Sequence, residues 1–328
     1  MISNQTEKPL ACWKSKEMYA GETLDCMTVI FKTGGCSWNR CKMCGYKYER
    51  YHKMSAEDLS LRIRQQLSWV LAEFKPDSYK MVKIFTSGSF FDSTEVPLDA
   101  RDAIGEAFKG KIVIVESRTE YVKKDIILDF IPTVDDNTWD KPLYVAMGLE
   151  TTNDYIREKC IDKGHTFEDF KNAVKQGKDA GAGIKTYLLM KPPFLTESEA
   201  LLDMQKSLLE SAPYSDMISM NLCTVQNRTE VERLWKMRAY RPPYLWSVLK
   251  VLIESDLHVM CDPVGGGKRR GPHNCGKCDR DIVDAIRDYS LTNDKDLLKV
   301  YFDEGCDCKA EWHYVLKEEK PFCMPLTE

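Results

Sequence analysis

Three cysteines, Cys36, Cys41 and Cys44, share one short segment, Gly34-Gly35-Cys36-Ser37-Trp38-Asn39-Arg40-Cys41-Lys42-Met43-Cys44-Gly45-Tyr46, in a C-x4-C-x2-C spacing. Three thiolates so spaced can reach one centre. A 4Fe-4S cluster takes four ligands, so three protein cysteines would leave one iron open to a small molecule, whereas structural zinc wants all four positions filled. Gly34, Gly35 and Gly45 supply the unusual backbone angles that wrapping a chain around a cluster requires. A zinc knuckle completed by His52, or buried thiols that bind nothing, are the competing readings. A second group follows far downstream: Cys275-Gly276-Lys277-Cys278 and Cys306-Asp307-Cys308. Four thiolates in two close pairs fit tetrahedral zinc, with His273, then His313, as substitutes for one of them. Cys12, Cys26, Cys160, Cys223, Cys261 and Cys323 read as core thiols without assigned chemistry.

A basic triplet, Lys268-Arg269-Arg270, follows Gly265-Gly266-Gly267 and runs straight into the second cysteine group. Flexible backbone followed by clustered charge suits phosphate contacts. Arg228, Arg238 and Arg241, interleaved with Trp235, Tyr240 and Tyr244, offer stacking surfaces for unpaired bases. The plainer reading is a solvated charged face, with Pro242-Pro243-Tyr244-Leu245-Trp246 as core. Across the 328 residues, 47 Lys and Arg against 51 Asp and Glu give a net charge of −4. No chain-wide positive field exists, so a nucleic-acid partner must use a local patch. The 43% hydrophobic content and the aromatic complement exclude a disordered chain. No apolar run approaches the roughly 18 residues needed to cross a bilayer, and the polar start lacks a signal peptide, so a cytoplasmic protein without membrane contact is expected. Thirteen cysteines, an odd number, then favour metal over a disulfide framework.

These residues need a scaffold. Apolar runs at 26–31, 81–85, 112–115, 143–149, 183–190 and 217–222 predict six strands. Between them, Leu59, Ile63, Leu67 and Leu71 mark a helix capped by Ser55 with Asp58, and further helices are expected at 97–108, 167–180 and 196–210. Alternating strands and helices predict an α/β fold with a parallel sheet and right-handed crossovers, open or rolled into a barrel. In either form, functional groups belong beyond the carboxyl ends of the strands. The change in texture after Asn227 suggests an extension at 1–25, a core at 26–227 and a carboxyl-terminal annex at 228–328.

The cysteine triad resembles that of the radical SAM superfamily, whose usual spacing is C-x3-C-x2-C; the extra residue points to a branch. Five further segments indicate which one: Phe85-Thr86-Ser87-Gly88-Ser89-Phe90-Phe91-Asp92, Glu116-Ser117-Arg118-Thr119-Glu120-Tyr121, Gly148-Leu149-Glu150, Lys191-Pro192-Pro193-Phe194-Leu195-Thr196-Glu197 and Arg270-Gly271-Pro272-His273-Asn274-Cys275. Together they resemble the archaeosine synthase radical SAM subunits, archaeal tRNA-modifying enzymes related to the elongator catalytic subunit. The resemblance implies a partial (β/α)6 TIM-like barrel with a small zinc-binding annex. It implies a 4Fe-4S cluster on Cys36, Cys41 and Cys44 that binds S-adenosylmethionine. It gives Ser87, Gly88 and Ser89 to the methionine end of that cofactor, through exposed amides and hydroxyls, with Glu116 and Arg118 for its zwitterion and Glu150 for the ribose. An ordinary turn, a rim ion pair and helix capping near Thr151 and Asn153 are the respective alternatives.

The implied reaction uses a 5'-deoxyadenosyl radical to cleave a C–N bond of a lysine-adducted 7-cyano-7-deazaguanine in the tRNA D-arm, giving archaeosine. The implied partners are tRNA, a lysine-transferase subunit and an electron donor. Another radical SAM tRNA modification, or a non-catalytic zinc-dependent RNA-binding protein, remain the other readings. An elongator-like acetyl reaction would need an acetyl-CoA domain for which this chain has no evident room.

Overall fold

The computed structural model describes residues 7–321. Residues 1–6 of the expected extension, and 322–328 of the expected annex with Cys323, lie outside the described residues. The fold is α/β: eight strands, β1 (Ala11–Tyr19), β2 (Glu22–Ile30), β3 (Met81–Phe85), β4 (Ile112–Glu116), β5 (Leu143–Glu150), β6 (Gly183–Met190), β7 (Met217–Leu222) and β8 (Val259–Met260), follow one another in sheet order. An order without reversal is the connectivity of a curled half-barrel, not of a doubly wound sheet with a switch point. β2, β3, β4 and β5 pair in parallel in succession, and β8 adds parallel to β7 through Ile218 and Val259.

The six expected strands are β2 to β7; β1 and β8 are additions. β1 pairs antiparallel with β2 across a two-residue turn, Ala20-Gly21, with both residues at positive φ (49° and 85°). That is the geometry a tight hairpin demands. Its sequence, Ala-Gly, lacks the Asn-Gly signal, and β1 carries the polar run Lys14-Ser15-Lys16-Glu17 in a half-exposed pattern, so no apolar run betrayed it. Strand pairing therefore begins before residue 26 and continues past 227, across both expected boundaries.

Two compact units divide the chain. The first takes the chain up to Asn39, Tyr46–Gly148 and Glu168–Lys185; the second takes Arg40–Gly45, Leu149–Phe167 and the chain from Thr186 onward. In the first, the helix Ala56–Glu73 starts at Ser55, whose hydroxyl accepts from the Asp58 amide at 3.1 Å, and buries Leu59, Ile63 and Leu67. In the second, the helix Glu197–Ser211 opens on a capping box between Thr196 and Glu199. Cys26, Cys160, Cys223 and Cys261 are buried and Cys12 half-buried. Burial pushes the Cys26 and Cys160 thiols up to about 11 and Cys223 up to about 12, as expected of inert core thiols.

Candidate active site and metal centre

In the first unit, the loop leaving β2 and the turn leaving β3 are built around one buried carboxylate. Glu95 is fully buried; its Oε1 accepts from the Gly88 amide at 2.9 Å and from Thr33 Oγ1 at 2.9 Å, and its Oε2 accepts from the Ser89 amide at 2.6 Å. Burial raises its pKa, and these donors pull it back. Thr33 leads directly to Gly34, Gly35 and Cys36. Gly34 has no room for a side chain, since a Cβ there would lie 2.6 Å from the Thr94 carbonyl; its amide donates to the Glu95 carbonyl at 3.1 Å. Gly88 is equally constrained: a Cβ would stand 2.6 Å from the Cys36 Cβ and 2.7 Å from Glu95 Oε2. Only glycine lets the turn lie against Cys36.

The expected exposed amides of the Ser87-Gly88-Ser89 turn are not exposed to a ligand, because those of Gly88 and Ser89 both point into Glu95. Ser89 is buried, and its hydroxyl accepts from the Arg118 amide at 3.1 Å; the Phe90 amide donates to the Glu116 carbonyl at 2.8 Å. The β3 and β4 turns are thus stitched together, bringing Ser89, Glu116 and Arg118 close in the fold. Arg118 donates to Glu120 at 2.6 Å and lies over the Trp38 ring at 5.3 Å. Ser37 and Asp92, 2.5 Å apart, add another tie from the cysteine loop to the β3 turn, with Thr94 donating to Asp92 at 2.7 Å. Glu95 escaped the sequence reading; its only sequence signal is an acidic residue closing a turn next to two small ones.

In the second unit, the rest of the loop is pinned by its backbone. The Lys42 amide donates to the Ile161 carbonyl at 2.8 Å, the Lys42 carbonyl accepts from the Glu230 amide at 3.0 Å, and the Gly45 amide donates to Gln226 Oε1 at 2.5 Å. Between them Cys41 and Cys44 form a turn, with the Cys44 amide on the Cys41 carbonyl at 3.2 Å. Both are half-buried, as is Cys36. Glu150, at φ +67° on the end of β5, is buried and pairs with Lys163 at 2.6 Å. The capping role near it belongs instead to Asn153, whose Oδ1 accepts from the Tyr155 and Ile156 amides. Arg157, fully buried and also unforeseen, ties this segment down by donating to the Leu149 and Thr151 carbonyls and to Asp154.

The second cysteine group does converge. Cys275, Cys278, Cys306 and Cys308 place their sulfurs within 4.8 Å of one another, with separations of 4.0 Å (Cys275–Cys278), 3.9 Å (Cys275–Cys306) and 3.7 Å (Cys278–Cys308). A tetrahedron of sulfurs around a metal at about 2.3 Å has edges of about 3.8 Å, so the four thiols are spaced to hold an ion. Outside the sulfurs, Asp279 fixes the first pair by accepting from the Asn274 and Gly276 amides at 2.8 and 2.7 Å, and Gly276 turns at φ +89°. Trp246 Nε1 donates to Cys308 Sγ at 3.3 Å. Such outer contacts orient metal ligands. Burial alone would raise the Cys275 thiol, but the Lys277 and Cys278 amides together with the Cys308 and Cys306 thiols outweigh it and bring it down to about 7. His273 is not among the four; its Nδ1 faces the Gly271 carbonyl at 2.7 Å.

The basic residues divide. Lys268, Arg269 and Arg228 are exposed. Arg270 is framework: it donates to the Val225 carbonyl, Asn227 and Glu232 at 2.9–3.0 Å and lies 5.1 Å from the Trp235 ring centre. Arg241 is framework as well, stacked on Tyr244 and donating to the carbonyls of Pro242, His273 and Asn274. Among the described residues no helix is long and apolar enough to cross a membrane.

No family model matches the chain. The archaeosine synthase subunit beta of Methanosarcina acetivorans is 41% identical over 328 residues, covering 96% of this chain and 91% of that protein. The protein of the same name from Thermococcus kodakarensis is 35% identical over 320 residues, covering 93% of this chain and 96% of that one. Among solved structures, the archaeal Methanocaldococcus infernus Elp3 with an amino-terminal deletion aligns at a TM-score of 0.45 and 16% identity, over 63% of this chain and 53% of that one. On identity sustained over nearly the full length of both chains, this protein belongs to the archaeosine synthase subunit beta family.

Proposed function

We propose that the chain is a radical SAM enzyme of tRNA modification that carries out the C–N bond cleavage leaving archaeosine on the RNA. The observation that carries this reading is the near full-length similarity to archaeosine synthase subunit beta, coupled to a C-x4-C-x2-C loop that follows a parallel strand. Cys36, Cys41 and Cys44 would hold a 4Fe-4S cluster. Their half-buried thiols suit that group, and Cys36 lies against Gly88, which admits no side chain. Together with S-adenosylmethionine, the cluster supplies a carbon-centred radical able to remove an unactivated hydrogen.

The chain's own task is then positioning. Glu116 and Arg118 are assigned to the charged amino-acid end of the cofactor, next to the Ser87-Gly88 turn, and Glu150 to its ribose. Since the amides of Gly88 and Ser89 are occupied, the turn contributes its Ser87 hydroxyl and its narrowness rather than an amide nest. Cys275, Cys278, Cys306 and Cys308 are assigned a structural zinc ion. The substrate is a lysine-adducted 7-cyano-7-deazaguanine base in the tRNA D-arm. Removal of a hydrogen atom from the carbon beside the attached lysine nitrogen would leave a carbon radical, which on giving one electron to an external acceptor becomes an iminium that water cleaves at that C–N bond, releasing the lysine side chain as an aldehyde and leaving the amidine on the base. A base of folded tRNA must be extruded to reach any such site. A lysine-transferase subunit and an electron donor complete the assembly, and the cytoplasm is its compartment.

Anaerobic reconstitution tests the reading. About four irons per chain are expected, lost when Cys36, Cys41 and Cys44 become Ala, and lysine-adducted tRNA with dithionite and cofactor should yield archaeosine by nucleoside mass analysis. A chain that takes up only zinc, on both cysteine groups, would instead establish the non-catalytic RNA-binding alternative.

A further inference from the structure

We propose that a cavity beside the helix Glu230–Lys236 is a binding pocket for an unpaired nucleotide of the RNA substrate, its phosphate held by Arg238 and Arg269 and its base laid against Trp235. The inference rests on the tRNA-modifying reading above and deepens it by naming a subsite. It lies wholly within the second unit.

The cavity has a volume of about 780 Å³, within the roughly 300–1,000 Å³ of small-ligand sites. Its wall carries five basic side chains, Lys236, Arg238, Arg241, Arg269 and Lys320, against one carboxylate, Glu319, in a chain whose net charge is −4. That carboxylate is turned to the protein, accepting from the Glu197 amide at 2.5 Å and standing 3.8 Å from Lys191 Nζ. Arg241 is consumed by three backbone carbonyls and forms a fixed wall. Among the described residues no carboxylate lies in ion-pair range of Arg238, Arg269 or Lys320. A concave, positively charged wall with an aromatic side chain is what a phosphate carrying a base requires, the base stacking in a sequence-tolerant way.

A second observation is independent of the charge. The helix Glu230–Lys236 ends with Met237 as cap, the Arg238 amide on the Trp235 carbonyl at 3.0 Å and the Ala239 amide on the Leu234 carbonyl at 2.9 Å. This is the double hydrogen bond of a helix stop whose next residue turns left-handed, the position at which glycine is usual. Here it is Arg238, at φ +59°. A side chain in that conformation is strained where glycine would not be. Phe194, also lining the cavity, has φ +75°. Backbone strain kept at a non-glycine position beside a cavity points to use of the side chain.

The test measures binding of a tRNA transcript to the full chain as purified, so that the readout does not depend on radical chemistry, with Arg238→Gly and Arg269→Gln as variants. Each is expected to weaken binding about five- to tenfold and to lower the slope of log affinity against log salt by about one. Arg238→Gly should at the same time keep or raise the melting temperature, because it relieves the left-handed residue. A single-stranded hexanucleotide should compete with the tRNA, and a duplex of the same sequence should compete less. Affinity and salt slope unchanged in both variants would overturn the pocket and leave the enzymatic reading standing. A melting temperature that falls together with affinity in Arg238→Gly would reassign that arginine to the fold and overturn its role. Equal competition by the duplex would overturn the unpaired-nucleotide assignment. No tRNA binding by the unaltered chain would overturn both this pocket and the RNA substrate.

Discussion

Replacing Glu95 by Gln removes one negative charge and changes no volume, yet the structure predicts a large effect. The buried carboxylate accepts three hydrogen bonds, from the Gly88 amide and Thr33 hydroxyl on one oxygen and from the Ser89 amide on the other. A glutamine has one acceptor oxygen. If it takes the first position, its NH2 meets the Ser89 N–H head on; if it takes the second, its NH2 faces the Gly88 amide and Thr33. In the first case the Ser89 amide and the glutamine NH2 are buried without an acceptor; in the second the Gly88 amide keeps only Thr86 Oγ1 at 3.3 Å and the NH2 points a hydrogen at it, so the cost is about 2–3 kcal/mol. For a chain of 328 residues that corresponds to a melting temperature lower by roughly 3–4 °C. The same change loosens the side-chain tie from the β3 turn to Thr33, three residues before Cys36, so cofactor affinity should fall along with stability. Thermal denaturation and anaerobic equilibrium dialysis with S-adenosylmethionine measure the two effects, with the exposed Glu106→Gln as control. If Glu95→Gln melts within 2 °C or so of the unaltered chain and binds cofactor equally well, the account of Glu95 as organiser of the loop is wrong.

Two more perturbations address the rest of the molecule. Cys278→Ser should remove about one zinc per chain while leaving iron uptake on the first cysteine group intact, and should lower the melting temperature by about 5 °C or more, because the helix Cys308–Glu318 with its buried Trp312 hangs from that site; metal analysis showing undiminished zinc would refute the assignment. Asp203 has its pKa raised to about 6, by burial outweighing the Thr151 hydroxyl and Arg157. The unfolded value is about 3.9, so from pH 4 to 6 the folded chain retains a proton that the unfolded chain has released, and stability declines as pH rises through that window. Asp203→Asn, which keeps an acceptor for Thr151, should therefore raise the melting temperature at pH 7.5 and raise it less at pH 5; an equal gain at both would sink the explanation.

What the sequence revealed depended on whether the interaction is local. β3, β6 and β7 coincide residue for residue with their apolar runs, and Ser55 caps its helix as its spacing to Asp58 predicts, because burial and capping act over a few positions. The four-cysteine set was legible for a related reason: a metal forces a recurring short spacing within each pair. β8 is two residues long and pairs by position in the sheet, not by composition. Arg270 and Arg241 are both among the expected RNA contacts, whereas their guanidinium groups are spent on backbone carbonyls up to 45 positions away. No pattern in a run of charges distinguishes a solvated arginine from one that braces a loop.

The residues that escaped the sequence share one mode of action. Glu95 gathers the Gly88 and Ser89 amides, Asp279 gathers those of Asn274 and Gly276, and Glu197 takes the Tyr244 amide at 2.9 Å, the Ser247 hydroxyl at 2.6 Å and the Lys191 ammonium at 2.8 Å. Each is a buried carboxylate at or just before the first turn of a helix, where an irregular loop ends, and each satisfies a backbone donor that the loop cannot pair with itself. A parallel sheet supplies a rigid edge but leaves its strand-end loops without such partners. In this chain acidic side chains supply them, and the cost of burying each charge is met by two or three short hydrogen bonds. The arrangement makes the loops precise without making them regular, so the conformation around Cys36 and Cys275 should be sensitive to loss of one carboxylate oxygen and insensitive to changes in loop residues that face solvent.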